Sequence, residues 1–113
     1  MEKFTLKHIP ISDIKFEGNE EKYVNDAVKS NWVSSIGPYI DKFEVGFAET
    51  MASEYAVSVN NGTSALLLAL NALGIGRGDE VIAPSFTFAA TINAIIYAGA
   101  TPVLVDSSES HWN

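Results

Sequence analysis

No Asp, Glu, Lys or Arg occurs between Glu80 and Asp106, and this uncharged stretch constrains the chain more than any other feature. It is long enough to cross a bilayer. Pro84 and Pro102 interrupt it, however, as do Ser85, Thr87, Thr91, Asn93, Gly99 and Thr101. Two short apolar runs, Val81-Ile82-Ala83 and Val103-Leu104-Val105, flank a helical pattern within it. Apolar strands this short, joined by a helix, belong to a layered core in which the sheet is covered on its faces. The stretch therefore reads as strand, helix, strand rather than as a membrane span.

The same grammar extends upstream. Ala56-Val57-Ser58-Val59 is a strand candidate ending at Asn60-Asn61-Gly62, and residues 65 to 73 are apolar except for Asn71, which predicts a helix buried nearly all round. Gly74-Ile75-Gly76-Arg77-Gly78 closes that helix, and Glu80 to Ala83 begins the next strand. Thr87 to Ala98 predicts another core helix, with Phe88, Ile92, Ile95 and Ile96 on one side; Gly99 stops it, and Thr101 to Val105 is the last strand. The order β-α-β-α-β implies an α/β fold with a mostly parallel sheet and right-handed crossovers.

Residues 1–54 form a separate segment ahead of this unit, which spans residues 55–113. Pro10 and Gly18 mark an irregular start. Asn19 is a plausible N-cap for a helix in which Tyr23, Val24, Ala27 and Val28 recur at helical spacing. The pattern fails near Asn31, and Trp32 to Gly37 reads as a loop. Pro38 suits the first turn of a second helix, where its missing N–H costs nothing. Ile40, Phe43, Phe47 and Met51 then follow at three- or four-residue steps. One apolar stripe per helix predicts that both lie on the surface of something larger.

Charge and composition narrow the function. Seven Lys and Arg against fourteen Asp and Glu leave a net charge of −7 over 113 residues. Nucleic acids and anionic membranes are bound by dense positive charge, so neither is an expected partner. The chain has no cysteine, which excludes disulfides, thiolate catalysis and cysteine-based metal centres. Its first residues, Met1 to His8, lack the apolar run of a secretory signal, so a cytoplasmic location is expected. His8 and His111 show no metal spacing, and Ser34 and Ser35 have no visible base partner.

Two strand-to-helix corners remain as candidate sites. Open α/β sheets bind ligands at the carboxyl ends of their strands. Asn60-Asn61-Gly62-Thr63-Ser64 lies at such a corner, where a helix start presents free N–H groups and the positive end of its dipole to a phosphate. An ordinary helix cap explains Thr63 and Ser64 as well, and on local pattern alone it is the commoner explanation. At the next corner, Pro84-Ser85-Phe86-Thr87-Phe88, an aromatic ring can cover a planar cofactor seated over the first helix. Membership of the helix's apolar stripe is the commoner role for Phe88 on pattern alone. Gly74 to Gly78 superficially matches a dinucleotide fingerprint, but it closes a helix instead of opening one and reads as a cap and turn.

In combination these residues resemble the DegT-type nucleotide-sugar aminotransferases, which depend on pyridoxal 5'-phosphate and adopt the type I, aspartate-aminotransferase fold. Four stretches carry the resemblance in register: Trp32-Val33-Ser34 with Gly37-Pro38 and Phe43-Glu44; Asn61-Gly62-Thr63-Ser64-Ala65-Leu66; Gly78-Asp79-Glu80-Val81; and Pro84 to Phe88 through Gly99-Ala100-Thr101-Pro102. The resemblance implies that Gly62, Thr63 and Ser64 hold the cofactor phosphate and that Phe88 stacks on its pyridine ring. It also implies that Ser34, Gly37 and Tyr39 lie near the sugar substrate, and that the protein works as a homodimer with shared active sites. The implied reaction moves an amino group from an amino acid, glutamate being the expected donor, to a nucleotide-linked keto-sugar.

The family's Schiff-base lysine comes later in the chain than any lysine here. Lys3, Lys7, Lys15, Lys22, Lys29 and Lys42 all precede the phosphate loop. The resemblance therefore implies an N-terminal portion of the large domain, inactive by itself. A sugar dehydratase of the same family, a non-catalytic sensor and a stand-alone nucleotide-binding module are the rival readings.

Overall fold

The computed structural model describes residues 8–111. Four helices and two strands follow in the order α1 (Glu20–Lys29), α2 (Pro38–Thr50), α3 (Gly62–Ala72), β1 (Glu80–Pro84), α4 (Ala89–Ala98) and β2 (Thr101–Val105). β1 and β2 pair in parallel, with Glu80 opposite Thr101, Ala83 opposite Leu104 and Pro84 opposite Val105. The class is α/β, as the sequence predicts, and α4 is the crossover between the two parallel strands.

The core lies where α4 meets the sheet. Ala83, Ile95 and Ala100 are buried there, with Leu70, Ile75, Val81 and Ile92 packed around them. Ile95 is 3% exposed, and truncating such a residue to alanine typically costs about 2–5 kcal/mol. α3 lies alongside α4 and completes this layer. Among the described residues, no helix is long and apolar enough to cross a membrane.

All four helices end in the same way. The first residue past each helix's final turn has a left-handed φ: Asn31 (61°), Ala52 (51°), Gly74 (74°) and Gly99 (89°). The next residue's N–H reaches back across the turn, as in Ala100 to Ile95 O (3.1 Å) and Ile75 to Leu70 O (3.0 Å). These are Schellman closures, which satisfy carbonyls a helix end would otherwise orphan. Gly99 needs its glycine, because a β-carbon is disfavoured at that φ.

Three expectations are corrected. Ala56–Val59 forms no strand: β1 and β2 pair only with each other in the described sheet, and no ladder reaches residues 56–59. α4 begins at Ala89 and not at Thr87, because Phe88 is extended (φ −67°, ψ 141°) and serves as the N-cap. α3 has no buried residue, and Leu66 and Leu68 are over 40% exposed. The first and third corrections share one cause: no further apolar layer covers residues 56–59 and α3 among the described residues. The later start of α4 follows instead from the extended Phe88. The radius of gyration is 19.7 Å, whereas a compact domain of this size has about 13 Å.

Candidate functional site

α3 starts at a well-defined turn. Asn61 is its N-cap in extended conformation, and its side-chain oxygen accepts the Ser64 N–H at 2.9 Å. Ser64 Oγ donates to Asn60 Oδ1, also at 2.9 Å. The cap and the candidate seat therefore coexist. Asn61 satisfies one of the orphan donors at the helix start, while the N–H groups of Gly62 and Thr63 have no acceptor among the described residues. No acidic residue occupies the first turn of α3. Gly62 is exposed, with nothing within 4 Å of the place where a β-carbon would sit, so the backbone can be approached closely. Thr63 and Ser64 are half-buried.

Phe88 caps the start of α4 and is 81% exposed. It has left the apolar stripe of its helix, because the chain stays extended until Ala89. Phe88 is not part of the described core cluster of Ala83, Ile95 and Ala100.

Topology brings the two corners to one end of the layer. Past the end of α3, Gly76 and Arg77 lie against Gly99 at the end of α4; a β-carbon on Gly99 would sit 3.6 Å from Arg77 N and Cγ. The Thr101 N–H donates to Asp79 O at 2.9 Å, joining the starts of both strands at that same end. α3 and α4 pack side by side and are nearly equal in length, 11 and 10 residues. With their C-termini together, their N-termini share the opposite end. That is the carboxyl end of β1, where ligands bind in open parallel sheets.

A groove of about 560 Å³ runs from α2 to the α3 turn and is bordered by Phe43, Phe47, Met51, Tyr55, Asn61 and Gly62. Glu44 fixes its geometry. Its carboxylate accepts from Ser58 N at 2.7 Å and from Ser58 Oγ at 2.8 Å, tying α2 to the segment that leads into the turn. These bonds, the backbone one foremost, hold the Glu44 carboxyl below its ordinary value. Spacing alone did not single out Glu44. Its signal was the Phe43-Glu44 pair within the family resemblance.

Ser34, Gly37 and Tyr39 are placed on the α1–α2 side. Ser34 lies in the exposed loop before α2. Gly37 caps α2 at φ 139°, and a β-carbon there would come within 2.8 Å of the Trp32 ring, so the loop shape depends on glycine at this position. The Tyr39 hydroxyl donates to Asp26 Oδ2 at 2.7 Å, and its ring lies 5.5 Å from that of Tyr23. The bond to Asp26 is the main cause holding this hydroxyl above its ordinary value. In this structure Tyr39 ties α2 to α1.

The site fits an anionic, planar cofactor. Two free N–H groups and a helix dipole suit a phosphate, and the exposed Phe88 ring suits an aromatic face. The chain is 52% identical over 107 residues to GDP-perosamine synthase of Escherichia coli O157:H7, covering 95% of this chain and 29% of that protein. It superposes on Spr1654 of Streptococcus pneumoniae, described as a sugar aminotransferase and solved in its PLP form, with a TM-score of 0.84 at 34% identity, covering 94% of this chain and 27% of that one. A GDP-4-keto-6-deoxymannose-3-dehydratase also superposes, with a TM-score of 0.77 at 28% identity, covering 89% and 28% of the two chains. The chain thus spans less than a third of the length of each of these relatives. Residues 15–113 match one family throughout, and the chain belongs to it: the DegT/DnrJ/EryC1/StrS aminotransferases.

Proposed function

We propose that these residues are the N-terminal portion of a pyridoxal-phosphate-dependent enzyme that transfers an amino group from glutamate to a nucleotide-linked keto-sugar, serving polysaccharide or amino-sugar biosynthesis. The complete protein would act as a homodimer with active sites shared between subunits. One observation carries the reading: an open helix start and an unburied aromatic ring occupy the same end of the α3–α4 layer.

Bound at this end, pyridoxal phosphate would supply an electron-withdrawing ring for chemistry at the amino acid's α-carbon. The chain's own residues would hold and orient it. The Gly62 and Thr63 N–H groups donate to the phosphate, reinforced by the α3 dipole. The Thr63 hydroxyl adds a further donor. Ser64 contributes indirectly, because its N–H and hydroxyl are already committed to Asn61 and Asn60. Phe88 covers one face of the ring and keeps water from it.

The test is Phe88→Ala in the complete protein, read as the dissociation constant of pyridoxal phosphate from the apo form. Aromatic stacking of about 0.5–1.5 kcal/mol predicts a weakening of roughly 2- to 10-fold. The apo melting temperature should hold, since the ring buries little. An unchanged dissociation constant would remove Phe88 from the site.

The structural likeness to a dehydratase favours one second reading, a sugar dehydratase with the same cofactor. The later residue at the Schiff-base position decides between the two: lysine for amino transfer, histidine for dehydration.

A further inference from the structure

We propose that Thr87 and Thr91 act together as a positioning brace for Phe88. The inference rests on the reading of Phe88 as the ring-stacking residue. An aromatic lid is useful only when its ring is held in place, and Phe88 receives little help from packing, being 81% exposed. Its position is set instead by its backbone, at the joint between an extended corner and a helix.

Two bonds close that joint. The Thr91 N–H donates to Phe88 O at 3.0 Å, the first turn of α4. The Thr87 and Thr91 hydroxyls meet at 3.0 Å, bridging the residues on either side of Phe88. Thr91 is half-buried and lines the same groove as Val81, Ala83 and Ile95, on the core side of α4. The chain of restraint runs from the core through Thr91 to Thr87, with Phe88 enclosed between them. No side chain caps α4, so this bridge is the side-chain hydrogen bond that locks its first turn. Two hydroxyls also suit an exposed corner, because each is donor and acceptor and the pair is satisfied whichever donates.

The experiment uses the complete protein in its apo form. Pyridoxal phosphate is titrated into wild type, Thr91→Val, Thr91→Ser, Phe88→Ala and the Thr91→Val/Phe88→Ala double variant, with the apo melting temperature measured for each. Valine matches threonine in shape but lacks the hydroxyl. Thr91→Val is expected to weaken binding roughly fivefold, the factor one neutral hydrogen bond is worth. Thr91→Ser should restore affinity to within about twofold. In the Phe88→Ala background, Thr91→Val should have no further effect, because a brace acts only through what it braces.

Three results would overturn the inference. The first is unchanged affinity in Thr91→Val while Phe88→Ala weakens binding. The second is full additivity in the double variant. The third is a fall in affinity matched by a fall in apo melting temperature and not rescued by serine. Unchanged affinity in Phe88→Ala would overturn the reading of the site, and the brace with it.

Discussion

α1 and α3 begin in opposite ways. α1 carries Glu20 and Glu21 in its first turn, and the Glu20 carboxylate accepts the Gly18 N–H at 2.9 Å. Its own side chains thus supply negative charge where the helix dipole is positive. α3 opens on Gly62-Thr63-Ser64 with no carboxylate, and two of its leading N–H groups remain unbonded among the described residues. By hydrogen bonding α3 is the better capped, because Asn61 accepts the Ser64 N–H and no side chain caps α1. The difference lies in charge: acid already faces the dipole of α1 and none faces that of α3, which leaves α3 open to an incoming anion. α4 likewise has no acid in its first turn, so both corners at this end of the layer lack carboxylates in a chain with a net charge of −7.

The sharpest way to break the contrast is to make α3 start like α1. Thr63→Glu places a carboxylate where the phosphate would sit. Charge repulsion at such distances and the loss of the hydroxyl predict at least about 100-fold weaker pyridoxal phosphate binding by the complete protein. The apo form should melt no lower, because the new charge favours the dipole. Retained affinity would show that α3's bare start is not an anion seat.

A smaller effect is expected from Asn61→Ala. It removes the bond that orders the turn and should cost about 1 kcal/mol of apo stability by chemical denaturation. Affinity for the cofactor should fall alongside it, because an unordered turn spreads its N–H groups. Removing Glu20 from α1 should change cofactor affinity not at all, which completes the comparison in a single titration series.

The smallest effect concerns Glu44, which delivers the chain to α3. Its carboxyl sits below its ordinary value in the folded state, so its contribution is full above the unfolded value of about 4.3. That contribution is lost as the pH falls through the lower folded value. The protection factor of the Ser58 amide, its exchange rate relative to the intrinsic rate at each pH, should therefore hold above the ordinary carboxylate range and fall as Glu44 is protonated. Glu44→Gln should abolish this acid dependence. A pH-independent protection factor at Ser58 in the wild type would show that the clamp does not hold.

Features with local causes were legible in the sequence. Gly99 and Gly74 announced their helix ends because a left-handed cap favours glycine. Asn31 did so less strongly. Ala52 performs the same closure with no residue preference to signal it. Pro38 opened α2 as expected. Features that depend on a partner layer were not legible. Ala56–Val59 has strand composition, but a strand exists only when another strand pairs with it. Leu66 and Leu68 have core composition, but burial needs a second surface. At the site, Gly62 to Ser64 and Phe88 came from chain position and resemblance. The commitment of Ser64 to Asn60 and Asn61 could not, because a spacing of three or four residues permits that bond without requiring it.

The parallel pair has an effect on the newly made chain. Among the described residues both of its strands are edges, and an unpaired edge recruits wrong neighbours during synthesis. Pro84 and Pro102 each lack an N–H, and each faces an apolar residue of the other strand, Val105 and Val81. A strand carrying proline is a poor template for further ladders. The two prolines that rule out a membrane span therefore also act as safeguards, leaving this sheet less able to seed aggregates while it waits for the rest of its fold.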